Sequence, residues 1–421
     1  MCKKIFFFSI LILIMFDVLH TQSVFSFYGP ADILYQRDAY GEGMGGTGAG
    51  DMYRINTNLV NPALSTTVNR VYFSTGITIG TNFYTYNHGI KNSDSQFSLP
   101  YFTLVFPYRQ HRFGFHYTNL ASAGMKSKKE YEEPMIDGYV TLKNETTFSL
   151  YRAGVFYANR NKRLNFGVGA NYLFGNDSIN SSQSFDSPQL TDSKINTENR
   201  FQNPMFNIGI SKNMGSFSFG MAASYPMELT GTSNVETNSG SAKSGDASFE
   251  YPATATFGMT YRLTDYFFLS TDFDYEMWGN TNSFENSVDA MRLGAGLSWA
   301  GIPHTRKFLL IFPFRAGMSY RNLPFTVSDS YIHEIAYHLG ISLPLRGYDS
   351  YMEVATKFYN RGNIISETDF SENGFLITVG LHGFDFFRRP PNRKMPRDIP
   401  KTFEEQAAER SGGRRSHPEG E

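Results

Sequence analysis

Segments of about ten residues in which apolar and polar side chains alternate recur along the chain. In 164–174, Leu, Phe, Val, Ala, Tyr and Phe hold the even positions, and Asn or Gly holds most odd ones. The same alternation occurs at 216–225, 254–262 and 290–299. It gives a strand one apolar and one polar face. Strands of soluble domains average ~5–6 residues, whereas a tilted transmembrane strand has ~9–11. The pattern therefore predicts transmembrane β-strands.

Taken over the whole chain, the alternation predicts about fourteen strands. They are expected near 71–80, 98–107, 111–120, 146–158, 162–174, 201–213, 216–225, 248–262, 266–277, 289–301, 308–320, 331–345, 349–359 and 373–386. Short turns alternate with longer polar connections at 81–97, 121–145, 175–200, 226–247, 278–288, 321–330 and 360–372. After the N-terminus, no stretch reaches the ~18 apolar residues of a membrane helix. The sequence thus predicts an all-β, closed, transmembrane antiparallel β-barrel over 71–387, with tight turns at one end.

The amino-acid composition narrows the classes of protein to which the chain can belong. Charged residues are 18%, aromatic residues 16%, and the formal net charge is −1. These values exclude a disordered chain and a nucleic-acid binder that depends on a bulk basic field. The single cysteine, Cys2, excludes an internal disulfide or a Cys-based zinc site. A soluble β-sandwich or β-helix remains an alternative, although the non-apolar strand faces carry Gly, Ser, Thr and Asn and few charges.

The two ends of the chain differ in composition from its middle. Lys3 and Lys4 precede an apolar run that small residues follow, which predicts a secretory signal peptide over 1–26, with a membrane anchor as the alternative. Residues 388–421 are rich in Pro, Arg and Glu, and a disordered basic periplasmic tail is expected there. Such a tail either binds a periplasmic partner or anionic headgroups, or is simply solvated.

Residues 27–70 lie between the signal and the first strand and are predicted to form a plug inside the barrel. Their motif residues are Gly43, Gly45, Gly46, Asn61, Pro62 and Ala63. The glycine run has no Lys-Ser/Thr and follows no strand, so it does not indicate a phosphate-binding loop. Glycine favours close backbone packing in a confined lumen, and Asn-Pro favours a turn.

The polar strand faces give a set of lumen-lining candidates: Asp272, Asp274, Glu276, Arg292, Arg315, Glu334, His338, Glu353, Lys357 and His382. They form either a substrate path or paired charges that hold plug and wall together, and the mixed signs favour paired charges because unpaired buried charge is costly. Two histidines without a third ligand do not indicate a metal site. No serine stands in a nucleophile-elbow pattern, so neither an enzyme nor a cofactor is expected.

Two motifs together resemble a known family. Gly43-Met44-Gly45-Gly46 followed by Asn61-Pro62-Ala63 resembles the N-terminal signature of the long-chain fatty acid transporter (FadL-like) outer-membrane family. The broader clade includes the PorV-type barrels of a secretion system. Pro252-Ala253-Thr254, leading through Asp272-Phe273-Asp274-Tyr275 to Trp278, resembles a late hairpin of that family. Residues 51–58 depart from its usual small and acidic stretch.

The resemblance implies a fourteen-stranded barrel with an N-terminal plug in the bacterial outer membrane. It implies passive uptake of hydrophobic, fatty-acid-like small molecules as the function. The alternative is a PorV-like barrel that docks partners in a secretion system and transports nothing. The expected partners are outer-membrane lipid and a hydrophobic ligand, and no nucleic acid is expected.

Overall fold

The fold is a closed antiparallel β-barrel of fourteen strands, as predicted. This computed structural model describes the residues that follow: 23, 25, 28–29, 32–57, 59–86, 90–133, 138–186, 190–238, 243–284, 286–302, 308–327, 329–345, 350–362 and 370–383. Most of the predicted signal and all of the predicted tail therefore lie outside the described residues. In the described part of the chain, no helix is long and apolar enough to cross a membrane.

The strands follow one another around the barrel in chain order, and β14 pairs with β1 to close it. They are β1 (Tyr72–Tyr86), β2 (Ile90–Ser98 and Tyr101–Tyr108), β3 (His111–Glu133), β4 (Gly138–Asn159), β5 (Asn165–Phe185), β6 (Ser193–Asn213), β7 (Phe217–Pro226 and Leu229–Thr237), β8 (Lys243–Phe249 and Thr254–Arg262), β9 (Phe267–Glu276), β10 (Ala290–Trp299), β11 (Phe314–Val327), β12 (Ser330–Pro344), β13 (Tyr351–Arg361) and β14 (Phe370–His382). Strands β2, β7 and β8 are each interrupted once, but both parts pair with the same neighbour.

The structure differs from the sequence prediction in how far the strands reach. Segments predicted as long connections at 81–97, 121–145, 175–200 and 226–247 are largely continuations of β1 to β8. Strands β3 to β6 have 21 to 23 residues, about twice what a membrane crossing needs. The prediction ended them early because their polar residues no longer alternate with large apolar ones. We call this long-strand side the tall end, and the opposite side, with its tight connections, the turn end.

The polarity of the wall reverses along these long strands. In the lower part of β5, Phe166, Val168 and Tyr172 face outward and are exposed, while Asn171 is buried inside. Beyond Phe174, toward the tall end, the outward positions of β5 carry Asn and Ser. Ile179, an apolar residue, stands at an inward position. An apolar exterior is what lipid requires and a polar exterior is what water requires. The reversal therefore marks where the wall leaves the membrane.

An N-terminal plug fills the barrel, as the fold prediction stated. The two-residue strand Asp32–Ile33 pairs with β3 near the middle of that strand. Helix α1 (Ala39–Glu42) packs on β12, β13 and β14. A 3-10 helix, Pro62–Thr67, packs on the opposite wall, against β4, β5 and β6. The plug thus crosses the lumen and reaches β1 at the turn end.

Candidate functional site

A first ion-pair cluster fixes the middle of the plug to β9 and β10. Arg37 of the plug lies 3.0 Å from the Asp272 carboxylate and 2.9 Å from that of Asp274. Arg292 lies 2.5 Å from Asp274 and also donates to the carbonyl oxygens of Gly45 and Gly46 at 2.7 and 2.5 Å. These ionic side chains are all buried. The plug is therefore held by charge-assisted bonds in a low-dielectric setting, where such bonds are strong.

A second cluster lies nearer the tall end, on β11 to β14. Glu334 accepts from three cations: Arg321 at 2.7 Å, Arg361 at 2.5 Å and Lys357 at 2.9 Å. Arg361 also pairs with Glu372 at 3.0 Å. Arg321 donates to the carbonyl of Ile33 in the plug, and the Ser23 hydroxyl donates to Glu372 at 2.5 Å. This cluster joins four strands to the plug at Ile33 and to Ser23, which lies in the predicted signal segment.

The remaining predicted lumen residues make specific contacts outside the two clusters. Arg315 pairs with Glu353 at 2.6 Å, and its guanidinium carbon lies 4.1 Å from the centre of the Tyr40 ring of the plug. His338 and His382 hydrogen-bond to Ser319 and Ser74 respectively. Glu276 accepts from the indole nitrogen of Trp278 at 2.6 Å. In the described part of the chain, no group of three or more His, Cys, Asp and Glu is placed to hold a metal ion.

The glycine motif lets the plug backbone touch the wall backbone. A Cβ built on Gly317 of β11 would overlap the main chain of Met44 and Gly45, and one on Gly296 would overlap Met44. Gly45 and Gly46 also have φ of +74° and +68°, which other residues rarely adopt. Glycine on both surfaces is thus required by close approach.

Asn61 and Pro62 organise the lower plug. The Asn61 side chain accepts from the Ala63 amide at 3.1 Å and so caps the 3-10 helix that starts at Pro62. It also donates to the carbonyl of Ala49 at 3.1 Å and to that of Ile210 in β6 at 3.0 Å. One side chain thus joins two parts of the plug to the wall.

Below α1, Arg54 binds two plug carboxylates, Asp38 at 2.7 Å and Asp51 at 3.0 Å. Burial by itself raises the pKa of Asp38, but the adjacent Arg54 guanidinium outweighs burial and lowers that pKa below its ordinary range. For Asp51, burial prevails and raises the pKa. Arg54 and Asp51 line a polar cavity of about 740 Å³ at the turn end, together with Tyr72 and Glu353.

The upper lumen beside β3 to β10 is apolar. Its buried cluster includes Ile33, Leu150, Leu173, Phe201, Met205, Leu229, Phe249, Tyr251 and Trp278. Trp278 packs against Tyr251 and Phe249 with ring centres 5.5 and 6.3 Å apart. The interior of a water-filled channel is lined by polar groups. The cluster instead gives the barrel an apolar interior at this level.

The wall beside this cluster is interrupted between β7 and β8. The two strands pair up to Ser224 and Thr254 and again from Leu229 and Phe249. Residues 225–228 and 250–253, which include Pro226 and Pro252, do not pair with each other, which leaves about 13 Å of wall without ladder bonds. We call this gap the β7–β8 seam.

Outside the seam, Tyr225 and Met227 are 71% and 50% exposed, and Tyr251 is buried inside it. A cavity of about 30 Å³ lies just within, lined by Tyr35, Arg152, Tyr251, Thr254 and Glu276 among others. This volume holds about one water molecule. Passage of anything larger therefore requires the plug or the Tyr251 side chain to move.

The structure brings nine of the ten predicted lumen residues into the barrel as buried groups, and Lys357 with its side chain 19% exposed. The prediction missed Arg152, Arg321, Arg361 and Glu372 on the wall and Arg37 in the plug. Arg321, Arg361 and Glu372 lie at the same parity as predicted residues of their own strands; Arg321, for example, stands six residues after Arg315. Arg152 lies on β4, which carries no predicted lumen residue. The sequence did not mark Arg37, because the plug has no regular alternation of polar and apolar residues from which a contact could be predicted.

Solved structures of three barrels share the fold. The toluene transporter TodX of Pseudomonas putida has a TM-score of 0.59 at 15% identity, covering 84% of this chain and 98% of that one. A Pseudomonas aeruginosa FadL homologue has 0.57 at 11% identity, covering 83% and 98%. The Ralstonia pickettii toluene transporter TbuX has 0.54 at 16% identity, also covering 83% and 98%. At such identities the likeness establishes the architecture.

The sequence comparisons give a family. No curated protein sequence matches the chain. The family model described as BamG matches residues 1–386, which include the plug and every barrel strand. The chain therefore belongs to the BamG family.

Proposed function

We propose that the protein is an outer-membrane barrel that admits small hydrophobic molecules through the β7–β8 seam into its apolar upper lumen. The observation that carries the proposal is the position of the seam, which lies between exposed Tyr225 and Met227 on the lipid side and the buried Trp278 cluster inside. A hydrophobic solute would remain in contact with apolar groups along that route, and burial of apolar surface favours each step. The solved barrels with this fold include two named as toluene transporters, which agrees with the proposal.

A fatty-acid-like ligand is the finer proposal, and Arg152 supports it. Arg152 is buried beside the seam cavity and donates to the carbonyl of Leu59 at 2.9 Å. Its Nε atom has no hydrogen-bond partner, and in the described part of the chain no carboxylate lies within ion-pair distance of it. A carboxylate head would satisfy this guanidinium, while its alkyl tail would lie in the apolar cluster.

The seam route predicts that Thr254→Trp lowers uptake of a hydrophobic solute into proteoliposomes at least ~10-fold. Thr254 lines the small cavity, and an indole there would fill the path. Ala255→Trp is the matched control, because the next residue of β8 faces outward and an indole on that face meets lipid. Wild-type uptake equal to that of empty liposomes would contradict the proposal.

The carboxylate site predicts a split between ligands. Arg152→Met should weaken binding of palmitate by ~10-fold or more, because a charge-assisted hydrogen bond contributes ~1.5–3 kcal/mol. Binding of naphthalene, which has no charged head, should change little. Fluorescence competition with both ligands measures the difference, and equal losses for the two would indicate a change in packing and not a carboxylate site.

A docking role remains the second candidate, and the ion-pair clusters favour it. Arg37, Arg292 and Arg321 tie plug and wall together in a way that suits a permanently closed lumen. Absence of uptake together with stable co-purification of a secretion component with the intact barrel would favour this PorV-like function.

A further inference from the structure

The connections of the turn end carry a strong positive charge. Four tight turns in succession, at 108–112, 159–164, 212–216 and 262–266, join β2 to β9 in pairs. They contain seven Lys or Arg residues and one acid, Asp265. The tall-end segments 175–203 and 227–250 contain three cations and eight acids. The excess of cations is therefore a property of one end of the barrel.

Six of the seven cations are available to an external ligand, and the seventh, Arg112, is buried. Arg109, Arg160, Lys162, Arg163 and Arg262 are exposed, and Lys212 is half-buried. In the described part of the chain, only Arg262 has a carboxylate within reach, that of Asp265 at 4.0 Å, and both side chains are exposed to solvent. Exposed pairs of this kind contribute little. The turn end thus presents uncompensated positive charge. The excess lies where the tight turns leave the wall.

Each turn also carries an exposed apolar residue next to its cations. Tyr108 precedes Arg109, Leu164 follows Arg163, Met214 lies two residues from Lys212, and Leu263 follows Arg262. This combination suits a bilayer interface, where the apolar group enters the acyl boundary and the cation meets phosphate. A purely acidic protein surface would leave the apolar groups exposed.

We propose that these four turns form a binding rim for anionic phospholipid headgroups in the leaflet on the turn side. The geometry is an arc over half of the barrel, so that several headgroups bind along it at once. The proposal depends on the barrel spanning a bilayer and is independent of what passes through the lumen. A lumen closed to every solute would leave it intact.

The test measures the affinity of spin-labelled phosphatidylglycerol relative to phosphatidylcholine for the full-length barrel in liposomes. The wild type should prefer phosphatidylglycerol by ~5-fold, since each cation near the surface adds attraction of up to ~1 kcal/mol. The variant R109Q/R160Q/K162Q/R163Q should reduce the preference to less than ~2-fold. Salt at 0.5 M should do the same to the wild type, because it shortens the Debye length from ~30 Å in 0.01 M buffer to ~4 Å.

The matched control removes as many cations from the tall end: K126Q/K128Q/K129Q/K143Q. It should keep the wild-type preference. A change in gel mobility on heating confirms that each variant is a folded barrel. Equal preferences in the wild type and the turn variant, or an equal loss in the control, would overturn the proposal. If the wild type lacks the preference but binds a polyglutamate peptide at the turn end, the partner is an acidic protein and the lipid proposal is wrong.

Discussion

Replacement of Arg37 by alanine is expected to destabilise the barrel by about 3–5 kcal/mol. Asp272 would then be buried with no ion-pair partner in the described part of the chain, and Asp274 would keep only Arg292. An uncompensated buried charge has this cost because water no longer solvates it. The loss is measured by thermal unfolding in detergent, monitored through the difference in gel mobility between the folded and the heat-unfolded barrel.

The control for this change is Arg200→Ala. Arg200 pairs with Glu198 at 2.8 Å, but its side chain is 68% exposed, and such pairs contribute roughly 0–1 kcal/mol. Conductance in planar bilayers adds a second measurement, because a plug without its Arg37 contact should open more often. Equal destabilisation by both changes would mean that Arg37 does not hold the plug.

Gly317→Val is expected to detach the middle of the plug from β11. The new side chain would occupy the space of the Met44 and Gly45 main chain, which cannot rotate away as a flexible side chain can. Overpacking of this kind costs ~1–3 kcal/mol or more, and the displaced plug also strains the contacts of Arg292 with the Gly45 and Gly46 carbonyls.

Gly245→Val in β8 is the matched control, because a Cβ there meets no atom within 4 Å. Limited proteolysis of residues 39–57 and bilayer conductance report the state of the plug. A Gly317→Val protein with wild-type protection and conductance would show that the glycine contacts are not needed for closure.

The strand pattern predicted the barrel because lipid and lumen impose opposite polarities on alternate residues. That constraint acts on each residue of β9 or β10 separately, so the sequence alone revealed fourteen strands and the inward side of Asp272 or Arg292. It ceases above the membrane, where both faces of β5 meet water or the lumen mouth. The tall end was for this reason predicted as loops.

Local periodicity records which solvent each side chain meets, so it is enough to predict the closed wall, its inward polar face and the glycine-rich segment that enters it. The three-dimensional fold was needed to find Arg37 beside Asp272 and Asp274, the three cations around Glu334, and the separation of β7 from β8 beside Trp278. Those relations join residues tens to hundreds of positions apart. No local pattern contains them, since they depend on how the plug threads the lumen.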